Sequence, residues 1–113
     1  MSEQFPELYS YEQDYIEGEN QIAYYTTLFK ALGDTNRQRI LHLLRDGEKC
    51  VSDLLPFFDI LQPTVSTHLL ILEEAGILKV RRWGRKRMYS ISNPHIYEVL
   101  DEFVEELKDH VNI

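Results

Sequence analysis

The 113-residue sequence contains one cysteine, Cys50, one tryptophan, four prolines and five glycines. A single thiol leaves no internal disulfide and no multi-cysteine zinc module. No apolar run approaches the roughly 20 residues that span a bilayer as a helix. The opening stretch MSEQFPELYSYEQDYIEGE is acidic and lacks the basic-then-apolar order of a secretory signal. There is no internal repeat, no low-complexity linker, no glycine-rich phosphate loop and no nucleophile–base motif, and the histidines and carboxylates show no catalytic spacing. These absences point to one soluble cytoplasmic domain with a single core, without a membrane partner, a cofactor or an enzymatic activity.

Positive charge is also scarce. Twelve Lys and Arg stand against 19 Asp and Glu, a formal net charge of -7. The deficit is uneven. Residues 1–20 carry six carboxylates and no Lys or Arg, and residues 101–109 add five carboxylates against Lys108. Half of the basic residues fall within the nine positions KVRRWGRKR: Lys79, Arg81, Arg82, Arg85, Lys86 and Arg87. One basic spot on an acidic body faces a polyanion in a single orientation, because the rest of the surface repels it. A basic turn is equally the composition of a solvated hairpin tip, so charge alone leaves both readings open.

Hydrophobic periodicity orders the chain. Residues 1–18 show no sustained period and read as an acidic N-terminal arm; residues 19–113 read as the folded domain. Ile22, Tyr25, Leu28, Phe29 and Leu32 share one helical face, with Gly33 as its stop. Thr35 and Gln38 form a capping-box signature for a second helix carrying Ile40, Leu41, Leu43 and Leu44 and ending at Asp46-Gly47; His42 belongs to its polar face. Ser52 is placed to cap a short third helix through Leu54, Leu55 and Phe58, with Pro56 in its opening turns. A connection of about three residues leads to a fourth helix over residues 62–75, with Pro63 in its first turn and Val65, Leu69 and Leu72 on its inner stripe. After Gly76 the period becomes two: Leu78 and Val80, a turn at Trp83-Gly84-Arg85, then Tyr89 and Ile91, a hairpin with the basic cluster at its tip, where Trp83 either packs under the wing or, less favoured, rests against a sugar. Asn93-Pro94 opens a last helix with the stripe Ile96, Val99, Leu100, Phe103, Val104, Leu107 and Val111.

The resulting order, α-α-α-α-β-β-α, is mainly α with a two-stranded β-hairpin wing, an α+β winged helix-turn-helix. In that arrangement the second helix of the tight pair enters the major groove and the hairpin flanks it along the backbone. Gln62, Thr64, Ser66, Thr67 and His68 on the fourth helix are then the candidates for the groove, with His68 able to reach a phosphate or to brace the wing. Gln pairs bidentately with adenine, and a Thr methyl touches a thymine methyl. Arg82, Arg85, Lys86 and Arg87 on the wing suit phosphates or a narrow minor groove. The apolar stripes of the first and last helices exceed what one small core buries, which predicts a homodimer formed through them. A second class of function, a winged-helix module that binds protein rather than an operator, does not require six cations in nine residues.

The stretches ALGDTNRQRILHLL, VSDL, QPTVSTHLLILEEAGIL and RRWGRKRMYSI resemble the ArsR/SmtB family of metal- and stress-sensing repressors, over residues 22–107. The resemblance implies a homodimer that binds imperfect palindromes in double-stranded operator DNA and is released by an effector. This chain departs from the family pattern in three ways. Leu61 stands where a Ser commonly caps the recognition helix. Leu70, Glu73 and Glu74 follow where a basic residue is common, so the wing must supply more of the affinity. The thiolate pair ELCVCDL reads EKCVSDL here: Cys50 remains and Ser52 replaces the second thiol, and one thiolate does not make a soft-metal site without other donors. At the family's other metal position stand Asn93, His95, Glu106 and Asp109, with His110 adjacent, a partial donor set that is equally a solvated acidic helix end. No metal or other cofactor is assigned from these residues.

Overall fold

Five α-helices and one hairpin follow in the expected order: α1 Gln4–Leu32, α2 Thr35–Leu43, α3 Val51–Leu54 continued by a 3-10 turn Leu55–Phe57, α4 Gln62–Glu74, β1 Leu78–Trp83, β2 Lys86–Ile91 and α5 Ile96–Val111. The computed structural model describes the backbone of residues 4–111 and the side chains of residues 16–110. Among these no single helix is long and apolar enough to cross a membrane.

The first helix is longer than its apolar period. It spans 29 residues from Gln4, so the division drawn at residues 18 and 19 falls inside α1. A missing apolar stripe says that no face is buried; it does not say that the backbone is not helical. Pro6 lies in the first turn, where its absent N–H is least costly. The side chains of most of the acidic arm, and Val111 at the end of the α5 stripe, lie outside the described residues.

Two helix starts differ from expectation by one or two residues. Asp34, not Thr35, is the N-cap of α2: its backbone is extended and its carboxylate accepts from the Arg37 N–H at 3.1 Å. The Gln38 amide is then free to donate to the Leu32 carbonyl at 2.8 Å. Cys50, not Ser52, is the N-cap of α3, and Asp53 reaches back to accept from its N–H at 3.1 Å. Nor does Gly33 end α1 in a left-handed conformation, since among the described glycines only Gly47, Gly76 and Gly84 have positive φ. A Cβ at Gly33 would lie 3.0 Å from the Phe29 carbonyl oxygen, so this position is reserved by close approach of the α1 backbone.

The end of α4 follows the Schellman pattern. With Gly76 at φ 80, its N–H donates to Glu73 O at 2.9 Å and the Ile77 N–H donates to Leu72 O at 3.0 Å. This turn feeds β1 directly, and β1 pairs antiparallel with β2 from Leu78↔Ile91 out to Trp83↔Lys86. The two-residue connection has Gly84 at φ 62, the positive φ that matches a hairpin's twist. On its other edge β2 bonds the chain before α3: Lys49 N–H to Tyr89 O at 3.0 Å and Tyr89 N–H to Lys49 O at 2.8 Å. The wing is therefore anchored at its root on both α4 and α3.

Ile40, Leu44, Leu54, Val65, Leu69 and Leu72 are the largest fully buried side chains, joined by Ala31, Ala75, Ile77, Leu78 and Ile91. The inner stripe expected of α4 thus lies at the centre of the core. Each such side chain contributes about 1.5–3 kcal/mol by leaving water. On α5 only the first turns join, through Ile96 and Tyr97, whose hydroxyl donates to the Leu41 carbonyl at 2.7 Å. Burial pushes the Tyr97 phenol up, which keeps it the protonated donor this bond requires.

Arg37 ties three helices together. Its Nε donates to Ala31 O at 2.6 Å and its Nη2 to Lys30 O at 2.9 Å, at the carbonyl-rich end of α1. Its Nη1 lies 3.1 Å from His68 Nδ1 on α4, and because a guanidinium has only donors, this ring nitrogen is the acceptor. Replacing Arg37 by Ala leaves those carbonyls without a partner and is expected to lower unfolding free energy by about 2–3 kcal/mol in a denaturant titration. Asp34→Ala should cost about 1 kcal/mol, and Asp34→Asn much less, because Asn also caps. The N–H bond from Arg37 holds the Asp34 carboxyl below the usual carboxylate range, ahead of the charge of the Arg37 guanidinium nearby. Its contribution is therefore fully present above the unfolded carboxylate's pKa and is lost as pH falls through the folded value. The gap between wild type and Asp34→Ala should close on strong acidification, which thermal melts across acidic pH will show.

Candidate nucleic-acid interface

Burial of Val65, Leu69 and Leu72 turns the opposite face of α4 to solvent, and Gln62, Thr64, Ser66 and Thr67 are all exposed there. These side chains are neutral and small to medium, so a base edge can approach closely. The Thr67 hydroxyl donates back to Pro63 O at 3.0 Å, which leaves its methyl and oxygen lone pairs outward. His68 is placed differently from its neighbours. Its side chain is only 13% exposed, bonded to Arg37 and 3.9 Å from an Asp34 oxygen. In this structure His68 braces α4 against α2 rather than standing in the row of exposed residues. Leu61 is the N-cap of α4 and provides no side-chain hydrogen bond to the first turn.

The wing carries its cations with different degrees of freedom. Arg81 forms a two-point ion pair with Glu48, with Nε donating to Oε2 at 2.8 Å. That pair holds the Glu48 carboxyl below its usual range. Arg87 reaches Glu73 of α4 at 3.4 Å and faces Arg82 across the hairpin. Arg82, Arg85 and Lys86 are exposed and form no ion pair among the described residues. Trp83 is not packed beneath the wing: it is 63% exposed, with the Arg81 guanidinium 5.9 Å from its ring centre.

Helix and wing enclose a common groove of about 510 Å³. Gln62, Ser66, Leu70 and Glu73 line it from α4, Arg85, Lys86 and Arg87 from the wing, and Cys50 and Ser52 from the start of α3. The fold thus brings Gln62 and Ser66 to the same cleft as three wing cations, while Thr64, Thr67 and Arg82 lie outside its lining. A polyanion along this cleft meets fixed positive charge on one wall and neutral hydrogen-bonding groups on the other. Glu73 is the one carboxylate in the lining, and Arg87 already neutralises it.

The metal-type residues are not gathered in one chain. Cys50 is buried; its Sγ lies 3.0 Å from Ser52 Oγ and 3.2 Å from Asp53 Oδ2, so its nearest neighbours are a hydroxyl and a helix-capping carboxylate. Acceptance from the Cys50 N–H first, then from its thiol, holds the Asp53 carboxyl below the usual range. His95 Nδ1 lies 3.0 Å from Glu98, and Asn93 accepts from the His95 N–H at 3.1 Å. Glu106, Asp109 and His110 stand exposed at the far end of α5, and eleven helical residues at 1.5 Å separate His95 from Glu106 by about 16 Å. Among the described residues no three His, Cys, Asp or Glu converge on a metal position.

Sequence reasoning missed Arg37 and the pairing of Glu48 with Arg81. Arg37 lies on a polar face of α2, and no local pattern marks its partners, which are 6, 7 and 31 residues away.

Residues 34–80 match the model of the bacterial regulatory protein arsR family. An uncharacterised helix-turn-helix-type transcriptional regulator of Methanocaldococcus jannaschii is 41% identical over 81 residues, 71% of this chain and 90% of that protein. An arsenical resistance operon repressor of Staphylococcus aureus is 35% identical over 82 residues, 73% of this chain and 75% of the repressor. Among solved structures, Rv0081 of M. tuberculosis superposes with a TM-score of 0.67 at 29% identity, covering 83% of this chain and 91% of that one. A homodimeric winged helix-turn-helix DNA-binding domain from Mycobacterium bovis superposes with a TM-score of 0.71 at 24% identity, covering 82% and 89%, and shares the fold. The chain belongs to the arsR family of bacterial regulatory proteins and is a winged helix-turn-helix transcriptional regulator that binds DNA.

Proposed function

We propose that this regulator is a homodimeric repressor that holds double-stranded operator DNA with α4 in the major groove and the wing along the backbone. The observation that carries this reading is the shared cleft, in which exposed neutral groups on α4 face three wing cations, of which Arg87 is paired with Glu73 and Arg85 and Lys86 form no ion pair among the described residues. Gln62, Thr64, Ser66 and Thr67 read base edges. Arg82, Arg85 and Lys86 take phosphates, and Arg87 joins them when it leaves Glu73. His68 contributes through its hold on Arg37, which sets the angle at which α4 is presented. The acidic body repels the duplex everywhere else, and the arm of residues 1–18, with five carboxylates and no cation, stays clear of it. The protein acts in the cytoplasm, with the operator.

Dimerisation follows from what α1 and α5 leave open. Ile22, Tyr25 and Phe29 on α1 and Val99, Phe103, Val104 and Leu107 on α5 are large, apolar and exposed, and every described α5 residue from Asp101 onward is exposed. Exposed apolar faces of this kind are seldom left in water by a monomer. A two-fold partner covers it and sets two α4 helices one DNA turn apart. An effector releases the repressor. A two-thiolate capture site within one chain is not the means, because Cys50 is the sole cysteine.

Arg85→Ala with Lys86→Ala should weaken binding to all duplexes alike and reduce the slope of log affinity against log salt by about 2. Unchanged binding by this double variant, in a salt series by fluorescence anisotropy, would place the DNA on another surface. Gln62→Ala should instead relax preference at one base pair, by about 1–3 kcal/mol of discrimination, at an unaltered salt slope. Sedimentation at micromolar concentration should give twice the 13.4 kDa chain mass for the wild type and a single chain mass for Phe103→Glu. A monomeric wild type would remove the dimer.

A further inference from the structure

Leu61 is 77% exposed, the most open of the large apolar side chains described. The residue before it, Ile60, packs against the core, so the turn into α4 sends one apolar side chain inward and the next outward. The Leu61 backbone is held in place. Its carbonyl accepts the Thr64 N–H at 3.0 Å and the Val65 N–H at 3.2 Å, and Val65 is fully buried. Two local rules are broken at this position. An N-cap is better filled by Ser, Thr, Asn or Asp, whose oxygen would bond the first-turn N–H groups. An apolar side chain is also held in water at the tip of a helix that enters a groove. Positions that break local rules without a packing gain are expected where function needs them.

The ligand chemistry follows from what base edges offer. The apolar group in the major groove is the thymine C5 methyl. Residues 61–74 contain no Lys or Arg, so α4 gains no attraction from charge of its own and must select by hydrogen bonds and close apolar contact. Gln62 and Thr64, exposed beside Leu61, supply the hydrogen bonds. We propose that Leu61 is a specificity-determining residue that reads a thymine methyl in each operator half-site. This assignment rests on the DNA-binding reading above and adds a contact that reading does not contain.

The test uses the full chain and a duplex recovered with it from a random-sequence pool. Each thymine is replaced in turn by deoxyuridine, which removes only the methyl. In each half-site one such replacement, made singly, should weaken wild-type binding roughly fourfold, the transfer value of one buried carbon. Leu61→Ser should bind the thymine and deoxyuridine duplexes equally, keep the wild-type salt slope and melt no lower than wild type. Leu61→Met, which keeps an apolar tip, should retain the methyl dependence. The assignment is overturned if no replacement separates wild type from Leu61→Ser, or if Leu61→Ser melts lower or changes sedimentation, which would make Leu61 a packing or subunit contact. If the wild type recovers no duplex, the DNA-binding reading falls and takes this assignment with it; if it recovers one that is indifferent to every methyl, only the assignment falls.

Discussion

The Arg37 guanidinium is the joint on which the geometry of this protein turns. It neutralises the carbonyl end of α1, stands on α2, and holds the imidazole of α4. Those helices have different tasks: α1 carries much of the exposed apolar face, and α4 carries the exposed polar row. In the proposed dimer, a rigid link between them would hold the two α4 helices at a defined spacing. Asp34 extends the same joint, because its carboxylate both caps α2 at Arg37 and lies near His68. The energy of such a joint resides less in any single bond than in the buried or end-of-helix groups that would be orphaned without it.

Charge separation provides the second constraint. A molecule with a formal charge of -7 binds a polyanion only if its cations are concentrated and its carboxylates are kept away or paired. The wing meets the first condition by placing six cations in nine residues. The ion pairs Arg81–Glu48 and Arg87–Glu73 meet the second, by pairing two acids that lie against the wing. What remains without an ion pair among the described residues is Lys79, Arg82, Arg85 and Lys86, a small patch with a repulsive surround. Orientation, and not only affinity, follows from such a distribution.

The helix starts show where local sequence stops being decisive. Asp-Thr-Asn-Arg-Gln offers two overlapping caps, Asp34 over Arg37 and Thr35 over Gln38, and each is a good signature alone. Asp34 prevails in a structure where Arg37 and Gln38 are both drawn to α1 carbonyls, contacts that no local pattern records. Cys-Val-Ser-Asp poses the same choice, and there the reciprocal bond from Asp53 selects Cys50. The long α1 was illegible for a different reason. Apolar period reports burial, and the early part of that helix has no apolar stripe to report, although its backbone is helical from Gln4.

Element order, the inner stripe Val65-Leu69-Leu72, the hairpin with its basic tip and the polar row on α4 were all carried by the sequence, because each depends on periods and turn residues that act within a few positions; the register was not, since Trp83, read as part of the turn, pairs with Lys86 as the last residue of β1. Tertiary structure alone decided which cations are free and which are paired, that His68 faces α2 while Thr67 faces solvent, and that the wing and α4 share one cleft. Those outcomes depend on partners such as Arg37–His68 and Arg81–Glu48, which are 31 and 33 residues apart in the chain. Only packing of the whole core brings such partners within bonding distance.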